Sequence, residues 1–202
     1  AARRLDAKVT QSMQSLGMPG GVFETRVEAR DPPAFTAQGN DEVEFLVSAN
    51  PGQPPRPLAK VASGGELSRI SLGLQVAAHD AAQLPCLVFD EVDAGVGGAV
   101  AEMVGQQLHA LAARGQVLCV THLPQVAAQS DHQLRVSKQV SGGATRTRIE
   151  ALDDDSRVEE IARMLGGAQI TQRTLEHARE MLASGRRGGR ARATVASGGS
   201  GS

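Results

Sequence analysis

The spacing of apolar residues changes several times along the chain, and each change marks an element. In residues 1–16, Leu5, Val9, Met13 and Leu16 are spaced by four, four and three, with polar residues between them. That is one stripe on a helix. Gly17 and then Met18-Pro19-Gly20-Gly21 stop it. Residues 22–30 (VFETRVEAR) alternate in part, Asp31-Pro32-Pro33 break them, and Gly39-Asn40-Asp41 form a turn. Residues 42–49 (EVEFLVSA) then read as a second strand, antiparallel to the first across a long loop. Residues 50–57 (NPGQPPRP) are predicted as an irregular connector, because their prolines fix φ and remove donors. Helical spacing returns over residues 58–82, where Leu67, Ile70, Leu74, Ala77, Ala78 and Ala81 share a face.

The spacing then collapses into two short continuous apolar runs, Cys86-Leu87-Val88-Phe89 and Val117-Leu118-Cys119-Val120. Such runs signal buried parallel strands. Between them a helix starts at Ala99, with Val100, Val104, Leu108 and Leu111 on one face, and ends at Arg114-Gly115. Strand, helix, strand in this order predicts a right-handed parallel crossover. Pro124 suits the first turn of a short helix over residues 124–129. Residues 133–140 and 144–152 flank Ser141-Gly142-Gly143 as a β-hairpin. Asp153-Asp154-Asp155 is read as negative charge at a helix start, with Ser156 and Glu159 at capping-box spacing. Val158, Ile161, Ala162 and Leu165 form that helix's face, and Gly166-Gly167 end it. Residues 171–183 are a further amphipathic helix, with Leu175, Ala178 and Leu182 inward. Residues 184–202 (SGRRGGRARATVASGGSGS) have little apolar content and are expected to be a disordered basic tail. Its final SGGSGS reads as an engineered linker or scar.

Composition narrows the function classes. The chain has no Trp, no Tyr and four Phe among 202 residues, which leaves little for base-stacking platforms. A formal net charge of −1 means that any nucleic-acid contact is a local patch, not a global field. Cys86 and Cys119 lie in the apolar runs without CxxC or Cys/His spacing, and both are expected to be buried free thiols in a reducing compartment. No run reaches transmembrane length and no signal peptide is present. The chain begins without Met, as a fragment or processed chain would.

Three stretches carry candidate chemistry. The first apolar run ends in Asp90-Glu91 and a glycine-rich loop, VDAGVGG. Carboxylates at the carboxyl end of a buried strand lie where open α/β sheets bind ligands. Asp90 suits a hard cation such as Mg²⁺, and Glu91 suits a base that orients and deprotonates water. The same two residues also fit a strand that runs into an acidic surface turn. Ser63-Gly64-Gly65-Glu66 opens a helix at capping-box spacing. Its free N–H groups and dipole fit an anion, or simply a capped helix. The second run ends at Thr121-His122, so neighbouring strands would bring His122 to the edge that carries Asp90 and Glu91.

VASGGELSR resembles the signature motif of ABC-type ATPases, with Glu66 where transporters usually carry Gln. LVFDEVDAGVGG resembles their Walker B and D-loop, and VLCVTH their switch histidine. KVASGGELSRISL, FDEVDAGVGG, VLCVTHLPQVAA and RVEEIARMLGG together are similar to the carboxyl-terminal part of the SMC-like (structural-maintenance-of-chromosomes) ATPases of bacterial double-strand-break repair. The resemblance implies an α/β fold: the carboxyl-terminal lobe of an ABC-type, SMC-like P-loop NTPase head. Residues 1–16 would be the end of a coiled coil, 17–183 the lobe, and 184–202 the tail. It implies that Ser63, Gly64, Gly65 and Glu66 meet the γ-phosphate of ATP held by a second head. It implies that Asp90 serves Mg²⁺, Glu91 is the catalytic base, Asp93 couples the two sites and His122 senses the γ-phosphate. The implied cofactors are ATP and Mg²⁺. The implied partners are an amino-terminal lobe of the same protein, a second head in a homodimer, and DNA, with no membrane. The implied location is cytoplasmic and nucleoid-associated. One departure is clear: GxxxxGK[ST] does not occur, and Lys8, Lys60 and Lys138 are the only lysines. The family's P-loop lies in the amino-terminal part. The alternatives are the equivalent lobe of another SMC-like or ABC ATPase, or a non-catalytic scaffold that dimerises or binds DNA.

Overall fold

The computed structural model describes all residues except 32, 34, 38, 62–63, 79–84, 114, 142–143, 167–168 and 198–202. It divides into two compact units, Ala1–Val96 with Arg114–Val120, and Gly97–Ala113 with Thr121–Ser202.

In the first unit, helix α1 (Ala2–Ser15) buries Val9 and Met13 from the apolar stripe, together with Ser12. Strands β1 (Val22–Ala29) and β2 (Asp41–Ser48) pair antiparallel from Val22↔Ser48 to Ala29↔Asp41. Helix α1 is fastened to the edge of β1 by two side chains one helical turn apart. Thr25 donates both its N–H and its hydroxyl to Asp6 Oδ1, at 2.9 and 2.7 Å. Phe23 donates its N–H to Thr10 Oγ1 at 3.0 Å. Edge donors of the strand are thereby satisfied without another strand. Phe23 is buried and packs against Phe45, with ring centroids 5.4 Å apart.

A two-residue strand, β3 (Arg56–Pro57), adds to β2 through Leu46↔Pro57 and Val47↔Arg56. This corrects the expectation that residues 50–57 contain no regular structure. Proline is tolerated there because β3 is an edge strand, whose outer side asks for no ladder donor. After a 3-10 turn (Leu58–Lys60), helix α2 (Gly64–Ala78) buries Arg69, Ile70, Leu72 and Gly73. The predicted inward face is thus only partly right: Leu67 is exposed, and Ala81 lies outside the described residues. The rotation has a local cause. A Cβ on Gly73 would lie 3.2 Å from Ser12 Oγ and 3.9 Å from Val9 Cγ1, so α1 and α2 meet across this glycine.

Strands β4 (Cys86–Phe89) and β5 (Gln116–Cys119) pair in parallel, from Cys86↔Gln116 to Phe89↔Cys119, and Val120 N–H extends the ladder to Phe89 O. The parallel pairing is as the sequence predicts, but the burial is not. Leu87, Phe89, Val117 and Cys119 turn to the covered face, whereas Cys86, Val88, Leu118 and Val120 are exposed, Val88 at 68% and Val120 at 63%. Cys86 is therefore an exposed thiol, contrary to the expectation of two buried ones. The apolar runs are continuous because both faces are apolar, but the described residues cover only one of them.

In the second unit, α3 (Gly98–Ala112) buries Ala101, Val104, Gly105, Leu108 and Leu111. It lies close to α4 (Pro124–Ala127), since a Cβ on Gly105 would meet the Gln129 side chain at 2.7 Å and Val126 Cα at 3.1 Å. Strands β6 (Leu134–Ser141) and β7 (Ala144–Ala151) form the predicted hairpin, in register from Leu134↔Ala151 to Ser141↔Ala144. Helices α5 (Asp154–Gly166) and α6 (Gln172–Ser197) close a core of Ala127, Ala128, Ile161, Ala162, Ala178 and Leu182. The cap of α5 is Asp153, whose Oδ1 accepts from Ser156 N–H at 2.8 Å; Ser156 lies within the helix and is not its cap. That bond holds the Asp153 carboxyl below the usual carboxylate range. Helix α6 runs to Ser197, beyond Ala183 where the sequence predicts its end and a disordered tail begins. The added segment has no proline; its alanines and arginines favour a helix, whereas Gly185, Gly188 and Gly189 oppose it. Among the described residues no helix is long and apolar enough to cross a membrane.

Candidate active site

The residues that follow β4 form a tight, partly buried loop. Asp90 and Glu91 are exposed at the carboxyl end of the strand, whereas Val92 and Asp93 are buried, Asp93 at 2% exposure. Ala94 N–H donates to Glu91 O at 3.0 Å and Val96 N–H to Asp93 O at 3.4 Å. The turn forces Glu91 to φ +56°, the one non-glycine positive φ among the described residues. A side chain with a Cβ is strained there, and such strain concentrates at functional sites.

Helix α2 brings its first turn onto this loop. A Cβ on Gly65 would lie 2.5 Å from Ala94 O, so no larger residue fits without moving the loop. One turn on, Arg69 Nη1 donates to the same carbonyl at 2.8 Å. Burial pulls the Arg69 guanidinium pKa down, and Glu66 acts in the opposite direction. Gly64 differs from Gly65: a Cβ there would meet nothing within 4 Å, so the helix start is open on that side. Ser63 lies outside the described residues, and with it the predicted capping box to Glu66. Gly64, Gly65, Glu66, Asp90, Glu91 and Asp93 thus belong to one unit, in which Gly65 closes on the loop that follows the two carboxylates.

Cys119, on the covered face of β5, feels the same acids. Burial, reinforced by Asp93 and Asp90, pushes its thiol pKa up to about 12. At pH 8 only about 10⁻⁴ of such a thiol is thiolate, the form that alkylating reagents attack. Cys86 is exposed. Maleimide at pH 8 should therefore label this chain once, at Cys86, and peptide mapping should find Cys119 unmodified. Equal labelling of both would contradict the burial pattern of β4 and β5.

His122 belongs to the second unit. It is exposed, between Thr121 and Leu123, and Leu123 N–H donates to Thr121 Oγ1 at 3.0 Å. This side-chain turn holds the backbone on both sides of the imidazole. Leu123 is then the N-cap of α4, with Pro124 in its first turn.

The donor set fits a magnesium–nucleotide site. Among the described residues no group of three or more His, Cys, Asp or Glu could hold a metal ion alone. Mg²⁺ keeps several waters and typically takes one or two carboxylates beside substrate phosphates, so a single exposed carboxylate such as Asp90 is compatible with such a site. Arg69 is the residue that sequence reasoning missed. Its contact with Ala94 spans 25 positions, and only its place inside an apolar helix face could have drawn attention to it.

No protein-family model matches the chain. It is 50% identical to the DNA repair protein RecN of Vibrio cholerae over 90% of this chain and 32% of that protein. It is 39% identical to the DNA repair protein RecN of Bacillus subtilis, over 90% of this chain and 34% of that protein. The chain spans about a third of the length of these curated relatives. Its fold resembles that of an Smc head domain from Pyrococcus yayanosii, with a TM-score of 0.59 and 20% identity over 79% of this chain and 28% of that one. An SMC ATPase chain studied for ATP-driven dimerization and DNA-stimulated activation is similar over 83% of this chain and 94% of its own, with a TM-score of 0.52 and 18% identity. Over 90% of its length the chain is therefore similar to about one third of the RecN proteins, and it has the fold of an SMC head lobe.

Proposed function

We propose that this chain is the carboxyl-terminal lobe of a RecN-type ATPase head, which hydrolyses ATP held between two heads during repair of DNA double-strand breaks. The observation that carries this reading is the closure of Gly65 onto Ala94, which joins the SGGE helix start to the loop bearing Asp90 and Glu91. In this reading Asp90 is a ligand of Mg²⁺, which neutralises phosphate charge. Glu91 orients the attacking water and takes its proton. Ser63, Gly64 and Gly65 present N–H groups and a hydroxyl to the γ-phosphate of ATP on the opposite head. Asp93 fixes the loop between the two sites, and His122 donates to the γ-phosphate. Phosphoryl transfer is mostly positioning plus electrostatics, so two chains can share it. The protein would act in the cytoplasm at the nucleoid, with DNA and a second copy as partners.

The chain contains no GxxxxGK[ST], so the backbone cradle and lysine for the β- and γ-phosphates come from an amino-terminal lobe of the same protein. The bare face of Cys86, Val88, Leu118 and Val120 suits the sheet of that lobe.

Ser63→Arg in the intact protein tests the sandwich. The long cation would fill the space of the partner's γ-phosphate while leaving the head's own nucleotide site untouched. With turnover blocked by Glu91→Gln, ATP should raise the light scattering of the Ser63 parent and not of the variant. An ATP-driven dimer of normal size in the variant would show that the SGGE helix start does not face a second nucleotide.

A further inference from the structure

Arg69 is 7% exposed, and its Nε is buried without a hydrogen-bond partner. Burying a guanidinium is unfavourable unless its position is needed, and a methionine of similar length would fill the same space at less cost. Its bond to the loop after β4 explains the position. Arg69 Nη1 holds Ala94 O, and the N–H of that same Ala94 closes the turn onto Glu91 O. A single residue thus stands between the guanidinium and the strained backbone of Glu91. Gly65, one turn before Arg69, presses on the same carbonyl.

We propose that Arg69 is a positioning residue for Glu91: by clamping the Ala94 peptide it holds Glu91 at its left-handed φ and aims the carboxylate. The proposal rests on the reading of Glu91 as the catalytic base. Glu91 at φ +56° tends to relax toward negative φ, and the Ala94 turn opposes this only while Ala94 itself is held. Loss of the clamp misaims the base without removing it. Since a misplacement of about 1 Å can cost on the order of 10²-fold in rate, the effect appears in turnover rather than in nucleotide affinity.

The test uses the intact protein with Arg69→Met and Arg69→Lys. Arg69→Met should lower kcat for ATP at least ~10-fold with KM changed less than ~3-fold, and Arg69→Lys should recover part of the loss. On a Glu91→Gln background, Arg69→Met should lower the residual single-turnover rate no further, because no base remains to be aimed. Amide exchange at Ala94 should be faster in Arg69→Met than in wild type. Wild-type kcat in Arg69→Met, or the same fold-loss with and without Glu91, would overturn the proposal. Should Arg69→Met fail to fold, Arg69→Lys with an unchanged melting temperature carries the same measurements. Wild-type turnover in Glu91→Gln alone would remove the base reading instead, and Ala94 exchange would then report on the clamp by itself.

Discussion

Glu91→Gln in the intact protein should bind Mg²⁺ and ATP as the wild type does and hydrolyse it about 10²–10⁴-fold more slowly, the usual range for loss of a general base. The amide keeps the volume and the hydrogen-bonding reach of the carboxylate but cannot take the proton of water. Asp90, the proposed metal ligand, is unchanged. Single-turnover phosphate release measures the loss, and equilibrium binding of a fluorescent ATP analogue checks that affinity is retained. Turnover within a few fold of wild type would remove Glu91 from the chemistry. Glu91→Gly separates strain from catalysis. It should lose the same activity, yet gain about 1 kcal/mol of folding stability, because glycine adopts φ +56° without a Cβ clash. A stabilised, inactive Glu91→Gly is the signature of a residue held in a poor conformation for its function.

Much of the fold is legible in the spacing of apolar residues. The stripe through Val9 and Met13 becomes α1, the two short runs become β4 and β5, and SGG punctuates the hairpin of β6 and β7. These elements are local: the α1 stripe is long enough to show period 3.6, and the four-residue runs are read from their length and flanks. The site's loop was legible because Asp90 and Glu91 follow an apolar strand directly. Departures arise where distant residues decide. Nothing near Leu67 shows that α2 turns toward α1, because the reason is the absence of a side chain at Gly73 facing Ser12. Pro57 argues against a strand until its edge position is known. Cys86 and Val88 read as buried because they are apolar; their exposure depends on what lies across the sheet, which local sequence does not encode. The Arg69–Ala94 bond belongs to the same class, since it joins a helix to a turn across 25 positions.

The second large effect concerns the chain by itself. In the proposed function, Asp90 would address Mg²⁺, Glu91 water and His122 one phosphate oxygen. They offer no cradle for the remaining charge of a triphosphate, so its repulsion from the two exposed carboxylates is left with little to offset it. The open face of β4 and β5 points the same way, because Val88, Leu118 and Val120 together form an apolar patch of the kind that a partner covers. Docking of an amino-terminal lobe should therefore also shield Cys86, which shares that face, from maleimide.

The measurement that bears most directly on the composite head is ATP binding and phosphate release by the purified chain, alone and after addition of the P-loop-containing amino-terminal segment of its parent protein. The chain alone should show neither tight binding nor turnover, and the two segments together should show both. Tight binding or appreciable hydrolysis by the isolated chain would contradict the composite head and would require a phosphate site among residues other than those described.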